Sequence, residues 1–182
     1  DGQLSVEEYY KEEDKDPWSD DNFNPYKWTE WHKNGQMSEK SYHRDGELES
    51  YKSCEWFENG QLKMEAISED KKEVGRDKNT RWYENGQIES IQHKVNADLD
   101  GKWTEWYENG HMKSDGNWSK GHVEGKLTEW YENGQICYEF NYQEGVDQLA
   151  LGDQGVLDGK SCEWYENGQI KSEEYYKNNL KD

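Results

Sequence analysis

Aromatic, aliphatic and polar residues recur along the chain at a fixed spacing that predicts β-hairpins. Residues 106–112 read Trp-Tyr-Glu-Asn-Gly-His-Met, with aromatic residues before the polar turn and an aliphatic residue after it. Asn-Gly is a strong signal for a two-residue type I′ turn, because both central residues of that turn need a positive φ, which Asn and Gly tolerate. Near-identical copies surround five other asparagines: Asn34, Asn59, Asn85, Asn133 and Asn167. The chain is therefore predicted to be an array of repeated hairpins.

One repeat array is predicted to span residues 1–182. Asp1 and Gly2 match the turn of a half unit, so the predicted turns lie near residues 1, 34, 59, 85, 109, 133 and 167. The turns near residues 85, 109 and 133 are 24 residues apart. Longer intervals hold two insertions, at about residues 12–26 and 143–157. Loops carried on a rigid scaffold often hold binding residues, although an insertion can also be tolerated without any role.

The predicted fold class is all-β, an elongated single-layer antiparallel sheet of tandem β-hairpins. Between hairpins the chain must turn back, and four residues tolerant of left-handed geometry lie twelve positions after a turn asparagine: Gly46, Gly121, Gly145 and Asn179. Three further glycines are expected to open the next rising strand: Gly101, Gly125 and Gly159. Since an isolated hairpin is marginal in water, neighbouring copies must stabilise one another.

The side chains that join neighbouring copies are expected to be the aromatic and aliphatic residues beside each turn. A tryptophan always lies three residues before the turn asparagine, and an aliphatic residue lies three residues after it. A two-residue loop would place Tyr107 opposite Met112 on one face and Trp106 opposite Lys113 on the other. We therefore interpret the six tryptophans mainly as structural contacts rather than ligand contacts.

Composition limits what this sheet can enclose. Only 30% of the 182 residues are hydrophobic, which argues against a deep core, while 14% are aromatic, which argues against disorder. The three cysteines, Cys54, Cys137 and Cys162, form no CxxC pair, so they are expected to be reduced, partly buried thiols. The sequence contains no catalytic motif and no histidine spacing suited to a metal, and we expect neither enzymatic activity nor a cofactor. Its longest apolar stretch, Leu149 to Leu151, predicts no membrane-spanning helix.

Charge favours a basic partner. The formal net charge is −19, which disfavours nucleic acid and anionic membranes, although an acidic surface can also serve solubility alone. One row of glutamates directly precedes the turn asparagines: Glu58, Glu84, Glu108, Glu132 and Glu166. A second row lies three residues earlier: Glu30, Glu55, Glu105, Glu129 and Glu163. Such ladders are suited to a basic protein groove, or they discourage edge-to-edge aggregation.

The first insertion supplies the other candidate contacts. It combines acidic and aromatic residues with no strand alternation, and we predict that four of them contact a partner: Trp18, Asp20, Asp21 and Phe23. Aromatic residues are frequent anchors of protein interfaces, whereas charges mainly set the association rate and the specificity. The open strands near residues 1–10 and 172–182 also leave edge-to-edge self-association possible.

The copies at residues 106–110 and 130–136, with Asp-Gly-Lys-Trp at residues 100–103 leading in, resemble the bacterial MORN-repeat variant family. The resemblance covers essentially the whole chain and implies stacked, non-enzymatic β-hairpins. Many bacterial members are antitoxin or immunity components of toxin–antitoxin systems, so it also implies a cytoplasmic antitoxin that neutralises a basic toxin. The two insertions depart from the family pattern, and partner specificity does not carry over.

A second resemblance is to choline- and glucan-binding wall repeats, which are also short aromatic hairpins. Those repeats usually carry a Gly-Trp pair and a Trp-Tyr-Tyr run, whereas this chain has Trp-Tyr-Glu and no Gly-Trp pair. This alternative implies a cell-surface or envelope module that binds glycan or choline through its aromatic residues. A purely structural spacer is the third possibility.

Overall fold

A computed structural model describes residues 5–9, 26–32, 34–44, 47–68, 76–144 and 155–181. These residues form one sheet of fourteen strands, in which strands adjacent in sequence are adjacent in space. The strands are β1 (Ser5–Tyr9), β2 (Tyr26–Trp31), β3 (Met37–Arg44), β4 (Glu47–Trp56), β5 (Leu62–Ser68), β6 (Arg76–Trp82), β7 (Ile88–Val95), β8 (Asp98–Trp106), β9 (Met112–Ser119), β10 (His122–Trp130), β11 (Ile136–Tyr142), β12 (Gly159–Trp164), β13 (Ile170–Lys177) and β14 (Leu180–Lys181).

All neighbouring strands pair in the antiparallel direction, and no helix occurs in the described ranges. The predicted fold class is therefore confirmed. Because the order is a simple up-and-down meander, the six Asn-Gly loops all lie along one side of the sheet. The single array over residues 1–182 and edge-to-edge self-association stay predictions.

The Asn-Gly loops are not type I′ turns, and that prediction is wrong. The Gly110 amide donates to the Tyr107 carbonyl at 2.9 Å, and the Tyr107 amide donates to the His111 carbonyl at 2.8 Å. Of Asn109 and Gly110, only Gly110 has a positive φ, 84°. The loop therefore contains three residues, with a type I turn followed by a glycine bulge. The same two hydrogen bonds recur in all six loops.

Asparagine is required in these loops for its side chain. The Asn109 Oδ1 accepts a hydrogen bond of 2.9 Å from the His111 amide, and every other loop repeats this contact between the turn asparagine and the residue two positions later. An asparagine side chain can mimic a backbone turn in this way without a positive φ. The sequence signal for a hairpin was thus correct, while its physical basis was different.

The longer loop shifts the strand register. Trp106 pairs with Met112, and one residue further Glu105 pairs with Ser114, so a bulge lies between them. The predicted pairs Tyr107 with Met112 and Trp106 with Lys113 are therefore wrong. In each hairpin the tryptophan, rather than the next aromatic residue, lies opposite the aliphatic residue.

True two-residue turns with two positive φ angles occur on the opposite side of the sheet. Their residues are Asn96 and Ala97 (52° and 73°), Lys120 and Gly121 (50° and 83°), and Asn178 and Asn179 (51° and 65°). The left-handed geometry predicted for Gly121 and Asn179 is confirmed, while Gly46 and Gly145 lie outside the described residues. Gly159 begins β12 as predicted, but Gly101 and Gly125 lie inside their strands, at irregularities in the register.

The interior of the sheet is a thin layer of small side chains. Among the described residues, the buried set consists mainly of serine, threonine, cysteine and alanine: Thr29, Ser41, Cys54, Ala66, Ser68, Thr80, Ser90, Thr104, Thr128, Cys137, Ser161 and Cys162. Val156, which is 2% exposed, is the largest fully buried side chain. This agrees with the expectation that the composition provides no deep core. All three cysteines are free and buried, as predicted, and burial raises the pKa of Cys54 and of Cys162.

Candidate functional site

The row of six Asn-Gly loops, which we call the turn edge, is held together by bonds from one hairpin to the next. The Tyr107 hydroxyl donates to the Trp130 carbonyl at 2.7 Å. The hydroxyls of Tyr83 and Tyr131 make the same contact with the following hairpin, each at 2.8 Å. Burial raises the pKa of Tyr83 and Tyr107, and a hydrogen bond with Cys137 together with burial raises that of Tyr131 to about 12. The hydroxyls therefore stay protonated and remain donors.

The turn asparagines add a second set of these bonds. The Nδ2 of Asn109 donates to the Glu132 carbonyl at 2.8 Å. The Nδ2 groups of Asn85 and Asn133 donate to the equivalent glutamate carbonyls at 3.0 Å each. One asparagine side chain thus closes its own loop through Oδ1 and contacts the next loop through Nδ2. Sequence reasoning identified these asparagines only as turn residues.

In the Asn34 and Asn109 loops, the residue after the Asn-Gly pair also bonds to the next hairpin. Gln36 donates from Nε2 to the Gly60 carbonyl at 2.8 Å. His111 replaces glutamine in its loop, and its Nδ1 lies 2.8 Å from the Glu132 carbonyl. Because a carbonyl oxygen can only accept, that nitrogen carries the proton. The repeat motif is therefore a set of directed contacts between hairpins, together with the bond of 2.8 Å from Trp56 Nε1 to the Met37 carbonyl.

The five predicted turn glutamates all lie exposed along this turn edge: Glu58, Glu84, Glu108, Glu132 and Glu166. In the part of the chain that the structure describes, none of these carboxylates forms an ion pair with lysine, arginine or histidine. Glu132 and Glu166 line a shallow depression together with Asn133. The structure therefore presents these glutamates as one exposed acidic row.

The second glutamate row is different, because cross-strand lysines neutralise much of it. Glu163 lies 2.6 Å from Lys171, and Glu55 and Glu105 lie 3.3 Å and 3.5 Å from their lysines. The hydrogen bond from Lys171 lowers the pKa of Glu163. Glu129 has Cys137 where Glu55, Glu105 and Glu163 have lysine. Burial, followed by the nearby charge of Glu105, raises the pKa of Glu129.

Further lysine–acid pairs cross the strands away from the turns. They join Lys52 with Glu65, Lys102 with Asp115, Lys126 with Glu139 and Lys160 with Glu173. Among the described residues, lysines thus pair with several acids in the body of the sheet, whereas none of the five turn glutamates has an ion-pair partner.

The two insertions differ in what the structure shows. Trp18, Asp20, Asp21 and Phe23 lie outside the described residues, and their role as partner contacts stays a prediction. The end of the second insertion belongs to the sheet, because the Gln143 amide donates to the carbonyl of buried Val156 at 2.8 Å.

An aromatic patch on one face of the sheet was not anticipated from the sequence. Trp103 and Trp118 have ring centroids 5.0 Å apart. On β11, the rings of Tyr138 and Phe140 lie 5.6 Å apart, and those of Phe140 and Tyr142 lie 6.4 Å apart. All five side chains are half-buried. The three aromatic residues of β11 follow an i, i+2 spacing, which is the signal in the sequence that places them on one face.

Sites for a metal or for membrane crossing are not evident in the described ranges. No group of three or more histidine, cysteine, aspartate or glutamate side chains is arranged to hold a metal ion. No helix there is long and apolar enough to span a membrane.

An open sheet of tandem hairpins, joined by contacts from loop to loop, defines a repeat scaffold. The family described as MORN repeat variant matches residues 78–93, 99–120, 123–144 and 157–178. Four segments of the chain thus match this repeat model, and they coincide with the hairpins formed by β6 to β13. Such repeats generally form non-catalytic modules and commonly bind proteins or membranes. No curated protein matches the chain.

Proposed function

We propose that this chain is a non-enzymatic scaffold that binds a basic protein along its turn edge. The observation that carries the proposal is the contrast between exposed turn glutamates without ion-pair partners and a sheet body in which lysines pair with acids. A row of like charges on a fixed backbone attracts a surface of the opposite charge and speeds its encounter.

The turn edge also offers apolar contact area beside the charges. Tyr165 is 50% exposed and Ile170 is 59% exposed, next to Glu166. Interfaces draw most of their affinity from a few such anchors, while the surrounding charges provide specificity. A net charge of −19 argues against anionic membranes and nucleic acid as alternative partners.

The particular role we propose is that of an antitoxin or immunity protein that covers the basic active cleft of a toxin. Support comes from the acidic turn edge and from the resemblance described in the sequence analysis. Trp18, Asp20, Asp21 and Phe23 are proposed as additional contacts that give the partner specificity.

The test is affinity capture from the source organism's lysate, followed by binding measurements with the purified partner at low and high salt. In the test variant, Glu108, Glu132 and Glu166 are changed to Gln. The matched control removes three exposed acids away from the turn edge: Glu39, Asp98 and Glu144. We expect a basic protein whose association rate falls with salt and falls further in the turn-edge variant than in the control. Equal rates in the two variants would exclude the turn edge as the docking surface.

The aromatic patch favours a second candidate function, binding of glycan or choline. Trp103, Trp118 and Phe140 supply flat rings on one face, and such rings can stack on sugars or contact a quaternary ammonium group. This candidate predicts that wall fragments or choline change the tryptophan fluorescence with little dependence on salt. Trp103→Ala would abolish that change, whereas the turn-edge variant would retain it.

A further inference from the structure

We propose that Asn59 and Asn167 are sites of spontaneous deamidation, whereas Asn85, Asn109 and Asn133 are protected by the next hairpin. Deamidation is a covalent modification of the turn edge that needs water as its only co-reactant. It does not depend on the proposed function.

Each Asn-Gly pair has the required reactive groups. The amide nitrogen of the glycine attacks the asparagine Cγ, the bond from Cγ to Nδ2 breaks, and ammonia leaves with the proton taken from the glycine nitrogen. Water then opens the succinimide ring at either carbonyl, which gives aspartate or isoaspartate. In balance, asparagine and water become aspartate and ammonia. Glycine favours this reaction because it has no Cβ to hinder the attacking nitrogen.

Contacts shared by all six loops do not distinguish one asparagine from another. In every loop the glycine amide is bonded to the carbonyl three residues earlier, and the asparagine Oδ1 accepts from the amide two residues later. The attack requires the asparagine side chain to rotate toward its own glycine nitrogen. The rate therefore depends on what else holds that side chain.

The contacts of the asparagine Nδ2 atoms differ from loop to loop. Asn85, Asn109 and Asn133 donate to a backbone carbonyl of the next hairpin at 3.0, 2.8 and 3.0 Å. Asn59 instead contacts two exposed side-chain oxygens, on Gln61 at 3.2 Å and on Glu84 at 3.4 Å. The carbonyls that accept these bonds belong to the backbone of the next three-residue loop, which its own hydrogen bonds hold in place, whereas an exposed side chain moves.

The Nδ2 atoms of Asn167 and Asn34 both contact the side chain two residues later in their own loop. Among the described residues, the Nδ2 of Asn167 contacts only its own loop, at 3.4 Å from Gln169. Asn34 contacts Gln36 at 2.6 Å, and Gln36 in turn donates to the Gly60 carbonyl, so this loop is tied indirectly to the next hairpin. Asn34 therefore does not belong to the unprotected pair.

The residue two positions before the asparagine also differs between the protected loops and the loops of Asn59 and Asn167. The protected loops begin with Tyr83, Tyr107 and Tyr131, each of which is bonded to the next hairpin. The Asn59 loop begins with Phe57, which has no hydroxyl, and the Asn167 loop begins with Tyr165, which is 50% exposed. The Asn34 loop begins with His32 and is tied to the next hairpin through Gln36 instead. Within the described part of the chain, the Asn59 and Asn167 loops have neither tether, so their asparagine side chains are held less firmly.

Deamidation would alter the turn edge in two ways. Aspartate adds a negative charge directly beside Glu58 or Glu166. Isoaspartate inserts an extra backbone carbon into the three-residue loop, which displaces the paired amides of the glycine bulge. The modified chain therefore differs in charge and in local backbone at two positions of the turn edge.

The first experiment measures the rate at each site in the unmodified full chain. The protein is incubated at mildly alkaline pH, and peptides are mapped at intervals by mass spectrometry for aspartate and isoaspartate. We expect Asn59 and Asn167 to react at least about fivefold faster than Asn109 and Asn133, the factor that corresponds to one net hydrogen bond of about 1 kcal/mol. In urea, where every loop is open, the rates should converge. Equal rates in the folded chain would overturn the proposal.

Two reciprocal substitutions test the tether itself. Phe57→Tyr supplies the missing hydroxyl and should slow Asn59, while Asn167 in the same molecule serves as an unchanged internal reference. Tyr107→Phe removes a hydroxyl and should speed Asn109 toward the rate of Asn59. If both substitutions leave the rate of their own asparagine unchanged relative to Asn167, the hairpin contacts do not control the reaction.

Discussion

The hydroxyl of Tyr107 donates a hydrogen bond of 2.7 Å to the carbonyl oxygen of Trp130, which lies in the following hairpin. This bond joins the residue directly before one Asn-Gly loop to the last strand residue before the next loop. Tyr83 and Tyr131 make the same bond. Since a single hairpin is marginal in water, such contacts between hairpins decide how cooperatively the sheet folds.

Removing the hydroxyl should therefore destabilise the array. For Tyr107→Phe, we expect a loss of about 1 kcal/mol, the usual net contribution of one hydrogen bond, in urea unfolding followed by tryptophan fluorescence. Tyr165→Phe is the matched control, because Tyr165 is 50% exposed, and its effect should lie near zero. Equal losses in the two variants would mean that the bond to the next hairpin is not what stabilises the sheet.

The sequence predicted the sheet, the hairpins and the acidic row, but it did not predict the geometry of the loops. A two-residue type I′ turn and a three-residue loop with a glycine bulge both favour Asn-Gly, so the dipeptide does not distinguish between them. The extra loop residue moves Trp106 from Lys113 to Met112. The ion pairs that neutralise the second glutamate row depend on this register, which explains why the two rows looked equivalent in the sequence.

The aromatic patch and the contacts between loops could not be read from the repeat alone. Trp103 and Trp118 belong to different strands, so their contact requires the observed register. The asparagine amides were interpreted as turn formers because local sequence carries no information on the next hairpin. The predicted contacts Trp18 and Phe23 lie in an insertion that breaks the repeat, where periodicity offers no constraint.

A strained turn offers a stabilising substitution. Ala97 has a φ of 73° in a two-residue turn, which is unfavourable for a residue with a Cβ. We expect Ala97→Gly to raise the free energy of unfolding by about 1 kcal/mol, measured by urea denaturation.

The equivalent turn provides the reciprocal control. Gly121 has a φ of 83°, and an added Cβ there would meet no atom within 4 Å. Gly121→Ala should therefore cost a similar free energy through backbone strain alone. A gain for Gly121→Ala, or a loss for Ala97→Gly, would contradict this account of the turns.

Close packing at Gly116 predicts a steric effect without backbone strain. A Cβ at this position would lie 2.9 Å from Leu127 Cδ1 and 2.9 Å from the Trp118 ring, and Gly116 does not have a positive φ. We expect Gly116→Ala to destabilise the sheet by roughly 1–3 kcal/mol, the usual cost of overpacking.

A second substitution tests whether contact with Leu127 causes the loss of stability in Gly116→Ala. Leu127→Ala removes one of the two obstructing groups, so the double variant should lose less than the sum of the single variants in a double-mutant cycle. Additive losses would show that Leu127 does not limit the space at Gly116.

Glu129 and Glu163 occupy the same position of two repeats, yet the structure shifts their pKa values in opposite directions. Burial, followed by the charge of Glu105, raises the pKa of Glu129 above 4.5, whereas the hydrogen bond from Lys171 lowers that of Glu163. A raised carboxyl pKa means that the folded state holds the proton more tightly than the unfolded state, so stability falls as pH rises from about 4.5 through the folded value. A lowered carboxyl pKa contributes stability above the unfolded value, and this is lost as pH falls through the folded value.

The two glutamine substitutions should therefore have opposite effects at neutral pH. Glu129→Gln removes a half-buried charge that has no ion-pair partner among the described residues, and it should stabilise the chain, with the gain disappearing at acidic pH. Glu163→Gln removes the partner of Lys171 and should destabilise it, with the loss shrinking as pH falls. Urea unfolding of both variants and the unmodified chain across this pH range measures the difference. Stability changes of the same sign at neutral pH would show that Cys137 in place of lysine is not what sets Glu129 apart.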